Sequence, residues 1–110
     1  MNDTPKKIDG RIYIFDIDGT ICTQHDGEYD KAVPFPERIA WINELYDEGH
    51  TIKFFTARGS GSGKDWSQKT LEQLRDWEVD YDELIMGKPH GDIFVDDKAI
   101  KANTYFKDLE

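Results

Sequence analysis

The chain has 110 residues, enough for a single hydrophobic core, so we predict one domain over residues 1–110. Its formal net charge of -9 at pH 7 repels nucleic acids and anionic membrane surfaces, so neither is expected as a partner. Apolar residues make up 37% of the chain and aromatic residues 13%, which argues against a disordered chain.

A single cysteine, Cys22, cannot form a disulfide within the chain. Residues 1–10 contain lysines but no apolar stretch that resembles a signal peptide, and no run reaches the roughly 18 apolar residues of a membrane span. We therefore expect a cytoplasmic protein. No His or Arg adjoins Cys22, so we interpret it as a small residue near a loop rather than as a reactive thiol.

The first half of the chain predicts a strand, a flap and a helix. Residues 11–15 are rich in β-branched and aromatic residues with apolar side chains on both faces, which predicts a strand buried on both sides. Residues 21–34 have no clear periodicity, and we interpret them as a flap or tight hairpin that contacts the substrate. Pro36 suits the start of a helix, which Gly49 ends.

The second half repeats this alternation. Residues 51–55 predict a second strand, and residues 59–63 a flexible loop. Apolar residues recur at helical spacing from Asp65 to Trp77, which predicts a second helix. The remaining predicted elements are short strands at residues 84–86 and 93–95 and a final helix that starts near Lys98.

This order of elements predicts an α/β fold with a parallel sheet, helices on both faces and right-handed crossovers. In such sheets ligands bind beyond the carboxyl ends of the strands. Polar residues follow each predicted strand at that edge, namely Asp16 with Asp18, Thr56, Lys88, and Asp96 with Asp97.

The segment Gly61–Lys64 is similar to part of a phosphate-binding P-loop. However, Arg58 stands where that pattern requires Gly, and Asp65 stands where it requires Ser or Thr. The loop also follows the second strand rather than the first. We therefore exclude a Walker-type nucleotide site.

The residues at the strand ends suit the hydrolysis of phosphate monoesters, a very slow uncatalysed reaction that needs a nucleophile, charge neutralisation and leaving-group protonation together. Asp16–Thr20 supplies two carboxylates at one strand mouth, although such acids can also be ordinary solvated turn residues. One carboxylate can attack phosphorus, and the second can protonate the departing oxygen and then deprotonate water. A hard cation held by Asp97 and the ammonium of Lys88 would lower the local negative charge, and Thr56 can donate a hydrogen bond to a phosphoryl oxygen.

Four segments in this order resemble the four motifs of the haloacid dehalogenase superfamily. The resemblance implies a Rossmann-like fold, a Mg²⁺ ion, Asp16 as nucleophile, and Asp18 as general acid and base. It also implies phosphate binding by Thr56 and Lys88, and metal coordination by Asp16, the backbone carbonyl of Asp18 and an acid of the last motif. The four segments are Phe15–Thr20, Phe54–Arg58, Lys88–Pro89 and Ile93–Asp97.

Several assignments within these motifs stay open. Many relatives carry Gly-Asp in the last motif, which places Asp97 on the metal-binding acid and leaves Asp96 in an outer position or binding through water. Alternatively, Asp96 caps the following helix. Arg58 either contacts a substrate phosphate or carboxylate or is a surface arginine that orders the glycine-rich loop. His90 and Asp92 either reach the substrate or are solvated loop residues.

The gaps between the motifs leave no room for an inserted cap domain, so the resemblance is to the capless group of the superfamily. Members of that group act on large substrates or borrow a neighbouring subunit to close the active site, so a homo-oligomer is one expectation. The length and the Thr-Ala-Arg and Gly-Lys-Pro segments also resemble small phosphatases of bacterial capsule and polysaccharide biosynthesis. The resemblance thus implies a Mg²⁺-dependent phosphatase acting on a phosphorylated sugar or a related small metabolite.

Two other functions compete with this one. A signalling receiver domain also gathers acids, Thr and Lys-Pro at strand ends, but it has its acidic pair first and Lys-Pro last, whereas this chain ends with Asp-Asp. A catalytically silent binding or regulatory module would be expected to lose Asp16, which is present. Transfer of the phosphoryl group to an acceptor other than water stays open.

Overall fold

The computed structural model describes residues 10–109. The expectation that residues 1–10 contain no signal peptide falls almost entirely outside the described residues, because the description begins at residue 10. Among residues 10–109, no helix is long and apolar enough to cross a membrane. The regular elements are β1 (Ile12–Phe15), α1 (Pro36–Asp47), β2 (Thr51–Thr56), α2 (Ser67–Asp76), β3 (Glu83–Met86) and α3 (Ala102–Tyr105), with 3₁₀ turns at Tyr29–Lys31 and Lys107–Leu109.

The three strands form one parallel sheet in the order β1-β2-β3. Phe15 of β1 is in register with Phe54 of β2, which is in register with Leu84 of β3. Apolar and aromatic residues favour these strands, and parallel pairing requires long connections such as those that contain α1 and α2. The predicted α/β fold with a parallel sheet is confirmed. All three strands therefore end at the same edge of the sheet.

Helix α1 begins and ends as the sequence predicts. Pro36 lies in its first turn, where the missing N–H would have no partner within the helix. Ile39 and Ile42 recur at helical spacing and are buried. Gly49, with a φ of 103°, adopts the left-handed conformation that ends the helix.

The core lies between the helices and one face of the sheet. It contains Phe15 of β1, Ile52 and Phe54 of β2, Leu74 of α2, and Phe106 at the end of α3. Burial of side chains of this size contributes about 1.5–3 kcal/mol each. Because this packing holds β1 and β2 in place, it also fixes the first residues after each strand.

The opposite face of β1 is open. Ile12 and Ile14 are 65% and 61% exposed, although they alternate with the inward-facing Tyr13 and Phe15. When strands follow one another in sequence order, right-handed crossovers place successive helices on the same face of the sheet. No helix among residues 10–109 covers Ile12 and Ile14. The prediction that β1 is buried on both sides is therefore wrong.

The prediction of a fourth strand at residues 93–95 is also wrong. Residues 93–95 form neither a strand nor a helix, and Ile93 and Val95 are 82% and 95% exposed. Three residues can make few ladder hydrogen bonds, so their apolar character alone does not hold them against β1. The ring of Phe94 instead contacts the Lys88 ammonium, 4.8 Å from the ring centroid. The last helix begins at Ala102 rather than near Lys98.

Candidate active site

The carboxyl ends of β1 and β2 open into a cavity of about 560 Å³. One wall is the flap, residues 21–34, and the other is the loop of residues 57–66 that follows β2. Asp16, Asp18 and Thr56 all line the cavity, so the structure brings together three residues predicted from the sequence. This is the edge of a parallel sheet at which ligands bind.

A tight turn after β1 aims two carboxylates at this cavity. The N–H groups of Thr20 and Ile21 both donate to the carbonyl of Ile17, at 3.0 and 2.9 Å. Gly19 has a φ of 81°, a conformation that side chains disfavour, and its N–H donates to the Cys22 carbonyl at 2.8 Å. The glycine of the Asp-x-Asp-Gly-Thr segment is thus required by the turn that positions the acids.

The flap is a closed loop tied to α2. The Thr23 N–H donates to the Val33 carbonyl at 2.9 Å, and the Phe35 N–H donates to the Ile21 carbonyl at 2.8 Å. The side-chain amide of Gln73 in α2 donates to the Tyr29 carbonyl at 2.7 Å. The predicted flap is confirmed, and no cap domain is inserted anywhere in residues 10–109.

Asp16 and Lys88 face each other at the mouth of the sheet. The Lys88 ammonium lies 3.8 Å from the Asp16 carboxylate, and the Lys88 N–H donates to the Thr56 carbonyl at 3.0 Å, which continues the pairing of β3 with β2. Burial raises the pKa of the Asp16 carboxyl, and the charge of Lys88 offsets part of that rise. A cation thus compensates the partly buried carboxylate.

Asp18 is held by Arg58. The Arg58 Nε and Nη2 groups donate to the two carboxylate oxygens of Asp18, each at 2.9 Å. The Nη1 group donates to the Thr70 hydroxyl at 3.1 Å and to the Gln73 side chain at 2.6 Å, and the guanidinium lies 4.6 Å from the ring centroid of Tyr29. Such a two-pronged pair fixes the orientation of the Asp18 carboxylate.

The interpretation of Arg58 as a surface arginine is wrong, because the residue is only 3% exposed. Its side chain lines the cavity, but four of its hydrogen bonds go to acceptors in the protein. Direct binding of a substrate phosphate or carboxylate by Arg58 stays a prediction. What the geometry shows is that Arg58 connects Asp18 to α2 and to the flap.

Thr56 ends β2 inside the cavity and is 1% exposed. Its hydroxyl oxygen accepts a hydrogen bond from the Arg58 N–H at 3.1 Å. The hydroxyl proton can still be donated to a ligand, because an O–H group both accepts and donates. Its position therefore suits the predicted contact with a phosphoryl oxygen.

Asp96 and Asp97 do not line the cavity. Asp96 accepts a hydrogen bond from the Lys98 N–H at 3.0 Å, within a local turn rather than at the start of a helix, so the interpretation of Asp96 as a helix cap is wrong. Asp97 lies 3.5 Å from the exposed Lys98 ammonium. Without the fourth strand, these acids are not carried to the sheet edge. Their role as metal ligands stays a prediction.

The site has oxygen donors of the kind that bind magnesium, but too few of them to complete a metal site. Asp16 and Asp18 supply oxygen atoms, the ligands that this hard cation prefers. Within residues 10–109, however, no group of three or more His, Cys, Asp or Glu side chains is placed to hold a metal ion. Any complete metal site would need a further ligand.

The sequence interpretation missed the residues that build the outer part of the cavity. His90, which was left open as a substrate contact, lines it, whereas Asp92 does not. Trp66 was interpreted as part of the second helix, but that helix begins at Ser67. The mixture of polar and aromatic residues around the glycine-rich loop could have indicated a binding wall. The residues not singled out are Lys64 and Trp66 of this loop, together with Gln24, Asp26 and Tyr29 of the flap, which was predicted only as a whole to contact the substrate.

Cys22 plays no part in nucleophilic chemistry here. It is fully buried, and its thiol contacts the Ile17 carbonyl at 3.7 Å and the Asp18 carboxylate at 3.6 Å. Burial, together with the charge of Asp18, raises the pKa of the Cys22 thiol to about 12. The interpretation of Cys22 as an unreactive residue agrees with this environment.

No model of a known protein family matches the chain, and no curated protein matches it. Solved structures with the same fold do exist. The crystal structure of a target protein from Vibrio cholerae aligns with a TM-score of 0.75 and 25% identity, over 90% of this chain and 93% of that one.

Two further structures align over most of this chain. The D,D-heptose 1.7-bisphosphate phosphatase from B. bronchiseptica, complexed with magnesium and phosphate, has a TM-score of 0.55 and 19% identity, over 90% of this chain and 61% of that one. A chain of the Pnkp1/Rnl/Hen1 complex has a TM-score of 0.60 and 18% identity, over 96% of this chain and 35% of that one. This chain thus spans less than two thirds of either. These likenesses show that the chain shares its fold with the three structures, and residues 10–109 contain no inserted cap domain.

Proposed function

We propose that the protein is a Mg²⁺-dependent phosphatase that hydrolyses a phosphate monoester of a sugar or related small metabolite through an aspartyl phosphate on Asp16. One observation carries the proposal. Asp16, Asp18 and Thr56 line a single cavity, with the Lys88 ammonium 3.8 Å from the Asp16 carboxylate. Nucleophile, second carboxylate, hydroxyl donor and cation are the groups that this reaction needs. The phosphatase-like fold is consistent with the proposal.

In the first half-reaction, an Asp16 carboxylate oxygen forms a bond to phosphorus as the bond from phosphorus to the leaving oxygen breaks. The leaving oxygen takes a proton from Asp18. Lys88 and Thr56 bind the phosphoryl oxygens and stabilise the charge that they carry in the transition state. Because both Asp18 oxygens accept from Arg58, Asp18 has to turn partly away from Arg58 in this step.

In the second half-reaction, water attacks phosphorus and gives a proton to the Asp18 carboxylate as the bond between Asp16 and phosphorus breaks. The products are inorganic phosphate and the free enzyme. Asp18 is a carboxylate at this point because it gave its proton to the leaving oxygen, and the pair with Arg58 fixes the orientation in which it accepts the new proton. An acceptor alcohol in place of water would give phosphoryl transfer, and the ratio of released phosphate to leaving alcohol distinguishes the two reactions.

Magnesium would be held by the Asp16 carboxylate and the Asp18 backbone carbonyl, with Asp97 as a further ligand and Asp96 in an outer position. The bound ion would offset the repulsion between the carboxylates and a phosphate dianion. This part of the proposal rests on the oxygen donors at the end of β1 and on the motif that contains Asp97. Residues 93–97, which include Asp97, form no strand or helix, so no regular element has to be broken for Asp97 to move towards Asp16.

The proposed substrate class and cellular location rest on the sequence. The resemblance to small capsule and polysaccharide phosphatases favours a sugar phosphate, and the lone cysteine favours the cytoplasm. A homo-oligomer that closes the site is supported by the exposed Ile12 and Ile14 on the open face of β1, since exposed apolar surface is typical of interfaces. Light scattering on the purified protein measures the oligomeric state, and a strictly monomeric, fully active protein would contradict that arrangement.

The direct test is a panel of phosphorylated metabolites incubated with Mg²⁺, with released phosphate as the readout. Wild-type protein should release phosphate from at least one sugar phosphate, and Asp16→Asn should not. Asp108→Asn makes the same chemical change at an exposed position outside the cavity and should keep full activity. Absence of release by the wild type from every compound, or undiminished release by Asp16→Asn, would overturn the proposal.

A further inference from the structure

Lys64 is a cation of the cavity wall that the proposed chemistry does not use. It lies on the loop of residues 57–66 and lines the same cavity as Asp16 and Asp18. Arg58 and Lys88 are each paired with one of these carboxylates. Lys64, by contrast, has no carboxylate partner within residues 10–109.

Lys64 lacks a carboxylate partner within residues 10–109 although acids are abundant in the chain. The chain carries a formal net charge of -9, so acids to pair with are abundant. Asp30, the acid of the flap on which the charge of Lys64 acts, is already bonded to Lys69 at 2.7 Å. Asp26 also lines the cavity and forms no ion pair with Lys64. The ammonium of Lys64 thus remains available to a ligand.

The position of Lys64 is fixed by its surroundings. Its ammonium lies 4.5 Å from the ring centroid of Trp66, which in turn contacts the ring of Tyr29 edge-on, with 4.8 Å between the centroids. A cation over an indole ring is held there by the ring's quadrupole. Although Lys64 is exposed, this contact holds its ammonium beside Trp66, which lines the cavity.

The loop that carries Lys64 is also tied to the phosphate end of the site. The Gly63 N–H donates to the Gly59 carbonyl at 2.8 Å, and a Cβ added at Gly59 would lie 2.1 Å from the Lys64 carbonyl. The Ser60 hydroxyl donates to the Lys88 carbonyl at 2.7 Å. Lys64 and Lys88 are thus two cations on connected backbone, of which only Lys88 is paired at the reacting centre.

The cavity has room for more than the transferred phosphate. Its volume of about 560 Å³ is within the range of sites that enclose a whole small molecule. A phosphoryl group at Asp16, Thr56 and Lys88 would leave the outer part, with Lys64, Trp66 and Gln24, for the leaving group. The residues of that outer part therefore contact the leaving group and determine which leaving groups bind.

We propose that Lys64 is a specificity residue that selects phosphate monoesters whose leaving group carries a second negative charge, either a carboxylate or a second phosphate. This inference rests on the proposed function, because it takes the Asp16 end of the cavity as the phosphoryl site. Trp66 acts as the positioning residue that keeps the Lys64 ammonium on the cavity wall.

Binding to the Asp16→Asn protein tests this without any need for turnover. Calorimetry would compare glucose 1-phosphate with glucuronic acid 1-phosphate, which adds a carboxylate, and with glucose 1,6-bisphosphate, which adds a phosphate. At least one charged compound should bind about fivefold more tightly than glucose 1-phosphate, the gain expected of an ion pair worth about 1 kcal/mol. A preference for only one of the two identifies the source of the charge.

Lys64→Met in the same Asp16→Asn background should abolish this preference and lower the affinity for glucose 1-phosphate much less than the affinity for the preferred compound. Lys107→Met removes one positive charge at an exposed position outside the cavity and should keep the preference. Equal affinities for all three compounds, or a preference that survives Lys64→Met, would overturn the inference. Hydrolysis is a separate readout: a wild-type protein that shows the Lys64-dependent preference yet releases no phosphate refutes the proposed function alone.

Discussion

Two stretches of the chain carry the acids of the proposed active site, and they are held very differently. Asp16 and Asp18 follow β1, whose Phe15 is in the core, and the turn that begins at Ile17 is closed by backbone hydrogen bonds. Asp96 and Asp97 follow an apolar segment whose Val95 is 95% exposed. The difference shows that the packing of a strand places the acids that follow it at the sheet edge. An apolar sequence before the acids is not enough.

The largest expected effect comes from the packing beneath the first pair of acids. Ile52→Ala removes a side chain that is 0% exposed and should lower the free energy of unfolding by about 2–5 kcal/mol. Val95→Ala, at the exposed position before Asp96, should change it by less than about 0.5 kcal/mol. Urea unfolding measures both. A large loss at Val95 would mean that the 93–95 segment is packed in solution, and the contrast between the two stretches would fail.

The Arg58–Asp18 pair is the next feature to remove. Arg58→Met would leave the Asp18 carboxylate largely buried without its cation, so the free energy of unfolding should fall by about 3 kcal/mol, as when one partner of a buried pair is deleted. Arg75→Met is the matched control, because Arg75 is exposed and its contact with Asp76 is long, at 3.5 Å. Equal stability of the two variants would show that Arg58 does not secure Asp18.

A smaller effect distinguishes the acids of the second stretch. If Asp97 binds the metal directly, Asp97→Asn should raise the Mg²⁺ concentration for half-maximal phosphatase activity by about tenfold or more. Asp96→Asn should raise it much less. Chelation should abolish the activity, and Ca²⁺ should not restore it, because its higher and looser coordination misplaces the nucleophile. A larger rise in that Mg²⁺ concentration for Asp96→Asn than for Asp97→Asn would assign the metal to Asp96. No rise for either variant would show that neither acid binds the metal.

The smallest effect at neutral pH concerns Cys22, which packs beneath the first stretch. With its pKa raised to about 12 from an ordinary 9.0, the folded thiol stays protonated at pH 8–9, so iodoacetamide should modify it only after unfolding. Above pH 9 the unfolded chain binds fewer protons at this residue than the folded chain, so stability should fall as pH rises from 9 to 12. Rapid modification of folded protein at pH 8 would contradict the buried environment.

The sequence predicted the parts of the fold that rest on regular patterns. The first three strands and the start of α1 at Pro36 follow from local preferences, and the structure agrees with them. Since parallel strands end at one edge, the sequence also brought Asp16, Asp18 and Thr56 to one cavity.

The remaining features depend on contacts that no local pattern contains. Whether residues 93–95 form a strand depends on pairing with a neighbour, and whether Ile12 is covered depends on the side of the sheet that the crossover helices occupy. The burial of Arg58 depends on Thr70 and Gln73, which lie 12 and 15 residues farther along the chain, in α2. A charged residue on a glycine-rich loop reads as exposed until those partners are in view.

The measurement closest to the central claim is chemical trapping of the Asp16 intermediate. Wild-type protein would be mixed with its preferred phosphate ester and Mg²⁺, quenched within the first turnovers and reduced with borohydride, which converts an aspartyl phosphate to homoserine. Mass spectrometry of the peptide that contains Asp16 and Asp18 should then show homoserine at position 16 and unmodified Asp18. Homoserine elsewhere, or continued phosphate release with no modified residue at all, would contradict the assignment of Asp16 as the nucleophile.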